Sequence, residues 1–170
     1  MKEPLLIILG GLPGTGKTTL AKELAKQLHA VYLRVDTIEQ TIKHFNNGLV
    51  GPEGYLISYA VAKENLQLGL NVVADSVNSI EVTRNDWREV ANSIGIKFLE
   101  IEIICSDLLE HQKRVETRAP DIHGHLLPTW DEVKTRNYEK WDPISLCVDT
   151  AQSSIDEAVK KIMVHIKQLT

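Results

Sequence analysis

The stretch LGGLPGTGKTTL at residues 9–20 constrains the fold of this chain more than any other part of the sequence. It holds four glycines and a proline, it follows an apolar run at residues 5–9, and a helical pattern comes after it. The stretch fits G-x-x-x-x-G-K-[ST], with the required positions filled by Gly11, Gly16, Lys17 and Thr18. A strand, a glycine-rich loop and a helix in this order are typical of a phosphate-binding loop.

Such a loop binds an anion with backbone N–H groups that point inward, and the N-terminus of the following helix adds partial positive charge. We therefore predict that the loop binds nucleotide through Gly11, Pro13, Gly14, Thr15, Gly16, Lys17, Thr18 and Thr19. Lys17 is expected to reach the β- and γ-phosphates, and the Thr18 hydroxyl to bind Mg²⁺. An ordinary glycine-rich turn is the alternative, and the flanking strand and helix argue against it.

The composition restricts the class of protein. A chain of 170 residues with 43% hydrophobic and 25% charged residues suits one domain over residues 1–170. A net charge of −4 argues against broad, non-specific nucleic-acid binding. No apolar run is long enough to cross a membrane and no signal peptide is recognisable, so we expect a cytoplasmic protein. Cys105 and Cys147 are expected to be buried free thiols.

Apolar runs and helical patterns alternate along the chain. The predicted strands cover residues 4–10, 31–35, 71–75, 97–104 and 144–148. The predicted helices cover residues 17–29, 36–45, 54–69, 80–94, 107–118, 130–140 and 152–168. This alternation predicts an α/β fold with a parallel sheet and helices on both faces. Ligands of such sheets bind outside the carboxyl ends of the strands.

Two aspartates lie at those strand ends. Asp75 follows the third predicted strand and is our candidate for holding Mg²⁺, directly or through water. Asp36 follows the second, and it could accept the proton of a substrate hydroxyl as general base. The alternative is that both aspartates only cap helices, and Glu39 stands at capping-box spacing from Asp36.

The loop, these two aspartates and the basic helix near residues 110–118 resemble the small P-loop kinases with an adenylate-kinase-like core, such as shikimate kinase, gluconate kinase, chloramphenicol phosphotransferase and adenylylsulfate kinase. The resemblance covers nearly the whole chain. It implies a three-layer P-loop fold, a five-stranded parallel sheet in the order 2-3-1-4-5, and phosphoryl transfer from ATP. Asp36 falls where several of these kinases have a base-like aspartate. The arginine that often follows three residues later is replaced here by Glu39.

A basic stretch follows the fourth predicted strand. In the related kinases, arginines of a lid close over ATP, so Arg114 and Arg118 are predicted to stabilise the transferred phosphoryl group, with a lid at about residues 114–128. Prolines and a glycine exclude a regular helix over the end of that stretch. The alternative is a solvated helix face with an ion pair between Glu110 and Arg114.

The resemblance also bears on the loop after the last strand, which in these kinases lies beside the adenine ring. Asp149 and Thr150 are therefore candidate nucleotide contacts. The same stretch could instead be a simple helix cap, with Ser153 and Asp156 at capping spacing. On the helix after Asp75, Trp87 is expected in the core, and Arg84 could face the cleft.

We expect the acceptor pocket between Asp36 and residues 45–66. Its candidate lining residues offer amides, phenols and little positive charge, which favours a neutral hydroxylated small molecule: Phe45, Asn46, Asn47, Tyr55, Tyr59 and Asn65. The sequence thus predicts an ATP- and Mg²⁺-dependent small-molecule kinase. The alternatives are a polynucleotide or tRNA 5′-hydroxyl kinase, or a non-catalytic nucleotide-dependent switch. Gln40 would be poorly placed to position water in a switch, because it lies inside a helical pattern.

Overall fold

A computed structural model describes residues 3–141 and 146–169 of the chain. Its sheet has five parallel strands: β1 (Leu5–Gly10), β2 (Val31–Arg34), β3 (Val72–Asp75), β4 (Lys97–Ile104) and β5 (Leu146–Asp149). The strand order is β2-β3-β1-β4-β5. The predicted fold class and strand order are therefore confirmed.

Seven helices connect and cover the strands in the part of the chain that the structure describes. They are α1 (Lys17–Leu28), α2 (Val35–Phe45), α3 (Glu53–Gln67), α4 (Glu81–Asn92), α5 (Leu108–Thr117), α6 (Trp130–Thr135) and α7 (Ile155–Leu169). Among these residues, no helix is both long and apolar enough to span a bilayer.

The sheet separates two hydrophobic cores. Strand β1 is buried along its whole length, because helices cover both faces of the sheet. Apolar residues of α1 and α7, such as Leu24 and Ile162, pack on one face. Residues of α3 and α4, such as Leu66 and Trp87, pack on the other. The glycine-rich loop therefore follows a fully buried strand at the centre of the sheet.

Two predicted helices have different ends. The helix predicted over residues 130–140 ends at Thr135, because Arg136 adopts an extended backbone. The last helix begins at Ile155 and not at residue 152, because Ser154 caps it. The Ser154 hydroxyl accepts a hydrogen bond from the Glu157 backbone N–H, and the Glu157 carboxylate accepts one from the Ser154 N–H. The cap predicted from Ser153 and Asp156 is thus shifted by one residue. Residues 144 and 145 of the predicted last strand lie outside the described residues.

Two side chains differ from their predicted environments. Cys147 is exposed, whereas Cys105 is buried as predicted, and both are free thiols. Arg84 does not face the cleft. It is buried against the ring of Trp141, and its guanidinium donates to the backbone oxygens of Asn78 and Lys140. Its role is structural, because it ties the start of α4 to the segment that follows α6. Trp87 is fully buried, as predicted.

Candidate active site

The glycine-rich loop joins β1 to the first turn of α1 in the order that the sequence predicts. Gly14 and Gly16 both have φ near 87°, a left-handed conformation that favours glycine. A Cβ at Gly14 would also clash with the side chain of Val115 on α5. The loop is closed by Thr15, whose hydroxyl donates to the Leu12 oxygen at 2.9 Å. These contacts hold the loop in a fixed curve at the N-terminus of α1.

Lys17 and Asp75 meet beneath this loop. The Lys17 Nζ lies 3.4 Å from the Asp75 carboxylate, and both side chains are almost fully buried. Asp75 is the last residue of β3 and pairs with Leu9 of β1, so the sheet register places it beside the loop. Its other oxygen accepts a hydrogen bond from the Tyr32 hydroxyl at 2.8 Å. Burial and the neighbouring Asp75 raise the pKa of Tyr32 well above its usual range.

The interpretation of Asp75 as a helix cap is wrong, because α4 begins six residues later at Glu81.

The oxygen ligands available near the loop fit Mg²⁺. Thr18 offers a hydroxyl and Asp75 a carboxylate, and Mg²⁺ usually binds one or two protein oxygens together with substrate phosphates and water. Within residues 3–141 and 146–169, no cluster of three or more His, Cys, Asp or Glu side chains could hold a metal by itself.

Arg114 makes hydrogen bonds to Glu110 of its own helix and to Thr150 after β5. Its guanidinium donates to the Thr150 hydroxyl at 2.9 Å and to the Glu110 carboxylate at 3.0 Å. The Thr150 hydroxyl in turn donates to the Thr15 oxygen at 2.8 Å. Arg114 is therefore linked to the glycine-rich loop through Thr150. Helix α5 ends at Thr117, one residue before the predicted end at residue 118, so Arg114 is helical. The lid at about residues 114–128 stays a prediction.

His111 also supports the loop, and the sequence analysis missed it. Its Nε2 lies 2.8 Å from the Pro13 oxygen, and its ring packs edge-on against Trp130 at 5.1 Å. His111 is three residues before Arg114, so both side chains lie on one face of α5. That spacing was the signal that could have identified it.

One cavity of about 850 Å³ brings most of the predicted site residues together. From the predicted set it is lined by Pro13, Gly14, Gly16, Lys17, Thr18, Thr19, Asp36, Arg114 and Arg118. Asp75 lies directly behind Lys17. The cavity opens at the carboxyl ends of the strands, where ligands of parallel sheets bind.

Asp36 is in the first turn of α2, not at its N-cap, so the capping interpretation is wrong. The N-cap position is Arg34, which makes no side-chain cap. The Arg34 Nε lies 3.6 Å from the Asp36 carboxylate, and the Arg34 Nη1 lies 2.7 Å from the carboxylate of Asp121. Arg34 was not predicted, because it lies inside the second predicted strand, whereas Asp36 and Asp75 were identified by their positions at strand ends.

Arg118 lies just after α5 and borders the same cavity. Its guanidinium is half-buried, and within the described ranges its Nε has no hydrogen-bond partner. Burial lowers the pKa of Arg118, and the nearby Asp36 carboxylate opposes that shift. A desolvated cation beside the loop is suited to bind an anionic ligand.

The predicted acceptor residues are mostly elsewhere. Phe45 is 81% exposed, and Asn46 and Asn47 are exposed beside it. Tyr59 packs against Trp87 in the core. Of the six predicted acceptor residues, Tyr55 alone lines the cavity. The charged residues that line it without having been predicted to do so include Glu39 and Lys43 of α2, Glu132 of α6 and Arg136. Residues 45–66 contribute no cation to the cavity, and its positive charges come from other parts of the chain.

Asp149 and Thr150 make hydrogen bonds within the protein. The Asp149 carboxylate accepts from the N–H groups of Ser106 and Ala151, and these bonds, against the cost of burial, keep its pKa below the ordinary value. Thr150 is buried between Arg114 and the glycine-rich loop. A nucleotide contact at either residue stays a prediction.

Residues 6–132 match the AAA domain family. The chain belongs to this family. Cytidylate kinase of Exiguobacterium is 33% identical over 147 residues, which is 77% of this chain and 63% of that relative. The yeast 26S proteasome regulatory subunit 4 homolog is 37% identical over 119 residues, 70% of this chain but 25% of its own length. The chain thus spans less than two thirds of the length of these curated relatives.

A solved structure shares the fold over almost the whole chain. APS kinase of Mycobacterium tuberculosis, in complex with AMPPNP and APS, superposes with a TM-score of 0.73 and 18% identity. The match covers 98% of this chain and 99% of that one. At this identity the likeness shows the P-loop kinase fold alone.

Proposed function

We propose that this AAA-domain protein is an ATP- and Mg²⁺-dependent phosphotransferase that acts on a hydroxyl group of a small molecule. The observation that carries the proposal is that Lys17 and Asp36 face one cavity from two different strand ends. The glycine-rich loop is suited to the phosphates of the donor, and the carboxylate across the cavity to the hydroxyl of an acceptor.

Different residues of the cavity serve different parts of the proposed reaction. Asp36 takes the proton of the acceptor hydroxyl as its oxygen attacks the γ-phosphorus, and the bond to the β–γ bridging oxygen breaks, which leaves ADP. Lys17, Arg114 and Arg118 stabilise the negative charge that spreads over the equatorial oxygens. Mg²⁺ held by Thr18 and Asp75 would neutralise charge on the β- and γ-phosphates.

The position of Gln40 supports an enzyme over a nucleotide-dependent switch. A switch needs a side chain that orients water beside the γ-phosphate. The Gln40 amide instead donates to the Gly124 oxygen at 2.9 Å. Its amide is thereby engaged by the segment after α5.

The test compares Asp36→Asn with the wild-type protein in an ADP-release assay over polyols, sugars, sugar acids, nucleosides and a 5′-hydroxyl oligonucleotide. We expect kcat for the true acceptor to fall by roughly 10²-fold or more, with ATP affinity nearly unchanged, because a general base acts in the transition state. Asp156→Asn is the matched control, since Asp156 also lies in the first turn of a helix.

Turnover by Asp36→Asn within a few-fold of wild type would show that Asp36 is not the base. If the oligonucleotide were the sole acceptor phosphorylated, the protein would be a nucleic-acid end kinase. ATP binding without transfer to any acceptor class would favour the switch.

A further inference from the structure

Asn78 lies behind the wall of the cavity, on the segment that joins β3 to α4. Its neighbours Val77 and Ser79 line the cavity, whereas Asn78 itself is fully buried. Its φ of 50° is in the left-handed region, which asparagine adopts more readily than most other residues besides glycine. Such a backbone conformation costs free energy and persists only where the surrounding contacts hold it.

The side chain of Asn78 holds the start of the glycine-rich loop. Its Nδ2 donates to the Leu9 oxygen at 2.8 Å, across 69 positions of the chain. The Val77 oxygen, one residue earlier, accepts a hydrogen bond from the Gly11 N–H at 3.0 Å. Gly11 is the first glycine of the motif, and a Cβ there would clash with the Ile103 backbone oxygen. These contacts therefore fix the point at which the chain leaves β1 and enters the loop.

The backbone of Asn78 contacts the part of the cavity that the proposed function gives to the acceptor. Its N–H donates to the Tyr55 hydroxyl at 3.4 Å, and Tyr55 lines the cavity. Its carbonyl oxygen accepts from the buried Arg84 guanidinium at 3.1 Å, which fixes the orientation of the segment. Burial raises the pKa of Tyr55 to about 12, and the charges of Glu39 and Asp36 add to that shift. Tyr55 therefore lies near the carboxylate that is the proposed base.

The amide of Asn78 is only half satisfied. Because a backbone carbonyl can only accept, the NH₂ group must face Leu9, and the amide oxygen then points the other way. Among the residues that the structure describes, this buried oxygen has no hydrogen-bond partner. A buried polar atom without a partner destabilises the fold. Strained and unpaired groups of this kind concentrate at functional sites, where a required geometry outweighs the loss of stability.

We propose that Asn78 is a positioning residue for phosphoryl transfer, which holds the phosphate-binding loop in register with the cavity wall at Tyr55. This inference rests on the proposed phosphotransferase function and adds to it a residue that touches neither substrate. Transfer requires the attacking oxygen within roughly 3–3.5 Å of the phosphorus, and a misplacement of about 1 Å can lower the rate about 10²-fold. Asn78 bonds to both sides of that gap, through its side chain to β1 and through its backbone to α3.

The test uses Asn78→Gly, which removes the amide and keeps the left-handed backbone, because glycine adopts that region freely. Turnover is measured with Mg²⁺-ATP and the acceptor of highest turnover in the ADP-release panel, well below the melting temperature of each protein. We expect kcat to fall about 10–100-fold, while the Kd for Mg²⁺-AMPPNP and the KM for the acceptor change by less than about threefold. Asn47→Gly is the matched control and should behave as wild type, because Asn47 has a similar φ of 48° in an exposed loop.

A double variant tests whether Asn78 acts through Tyr55. Tyr55→Phe removes only the hydroxyl that the Asn78 N–H contacts. If both changes disturb the same alignment, the variant with Asn78→Gly and Tyr55→Phe should lose little more kcat than Asn78→Gly alone. In nucleotide-free protein, the Gly11 amide should exchange faster in Asn78→Gly than in wild type, and the amides of α7 should not change.

If Asn78→Gly does not fold, Asn78→Asp at alkaline pH takes its place. It keeps the shape of asparagine, and its ionised carboxylate cannot donate to the Leu9 oxygen. Three results would overturn the inference: a wild-type kcat in the variant, a fall in kcat matched by an equal loss of Mg²⁺-AMPPNP affinity, or losses that multiply in the double variant.

A wild-type protein that is not stabilised by Mg²⁺-AMPPNP, or that phosphorylates no acceptor of the panel, would instead overturn the proposed phosphotransferase, and the inference with it. That failure is seen in the wild-type protein alone, before any variant is assayed, so the two are distinguishable.

Discussion

Arg34 Nη1 lies 2.7 Å from the Asp121 carboxylate and thereby joins the end of β2 to the segment after α5. Lys22 of α1 binds the same carboxylate at 3.0 Å, and Gln40 of α2 binds Gly124 nearby. These contacts join residues 118–128, several of which line the cavity, to α1, to the end of β2 and to α2. We expect the segment to act as a lid that the protein's own ion pairs keep in place.

Removal of the Asp121 charge should loosen this lid. We predict that Asp121→Asn increases amide hydrogen exchange across residues 118–128 in the nucleotide-free protein, because Arg34 and Lys22 lose the carboxylate that ties them to this segment. Exchange in β1 and β4 should not change. Asp131→Asn is the control, since Asp131 makes a surface ion pair with Lys134 at 2.8 Å. Equal protection in both variants would show that Asp121 does not hold the segment.

The same contact should make stability depend on pH in acid. The Arg34 hydrogen bond, with a further one from Lys22, holds the pKa of Asp121 well below its ordinary value. A carboxyl group whose pKa is lower in the folded state than in the unfolded state stabilises the fold at pH values above its unfolded-state pKa of about 3.9. That stabilisation is lost as the pH falls below this pKa. Asp121 is about half exposed, so screening limits the effect to roughly 1 kcal/mol or less.

Urea unfolding of wild type and Asp121→Asn between pH 7 and pH 3 measures this contribution. The difference in the free energy of unfolding should stay constant down to about pH 5 and narrow below about pH 4. A difference that is independent of pH over the whole range would contradict the assignment.

Lys17 should be essential for nucleotide binding but not for folding. We predict that Lys17→Ala abolishes the rise in melting temperature produced by Mg²⁺-ATP. The variant should also lose about 1–3 kcal/mol of stability, because Asp75 remains buried without its cation. Lys26→Ala, an exposed change on the same helix, should keep the full nucleotide effect. An equal thermal shift in Lys17→Ala and wild type would rule out the loop as the nucleotide site.

Asp75 should act mainly through Mg²⁺. We expect Asp75→Asn to raise the Mg²⁺ concentration required for stabilisation by ATP about 10–100-fold, while metal-free ATP binds as before. Tyr32→Phe removes the hydrogen bond to Asp75 but keeps the carboxylate, so its magnesium titration should shift much less. If Asp75→Asn and wild type gave the same titration, Asp75 would only neutralise Lys17.

Much of the fold could be predicted from local sequence. Three local patterns are neighbours in the chain: the apolar run of β1, the glycines of the loop and the helical spacing of apolar residues in α1. Each pattern predicts the backbone conformation of its own residues. The resemblance to P-loop kinases supplied the strand order. Helix ends were less accurate, as at Thr135 and Ile155, because a cap depends on which side chain reaches a given N–H.

The sequence by itself determined the loop, the order of the elements and the two aspartates at the strand ends, because these depend on neighbouring residues and on the period of the apolar positions. The tertiary structure decided which charges line the cavity. Lys43 and Arg136 are 93 positions apart in the chain (136 − 43), yet both line one cavity. Arg34 and Asp121 form their ion pair across 87 positions. No local pattern encodes such contacts, because they form only after the sheet has brought the carboxyl ends of its strands together.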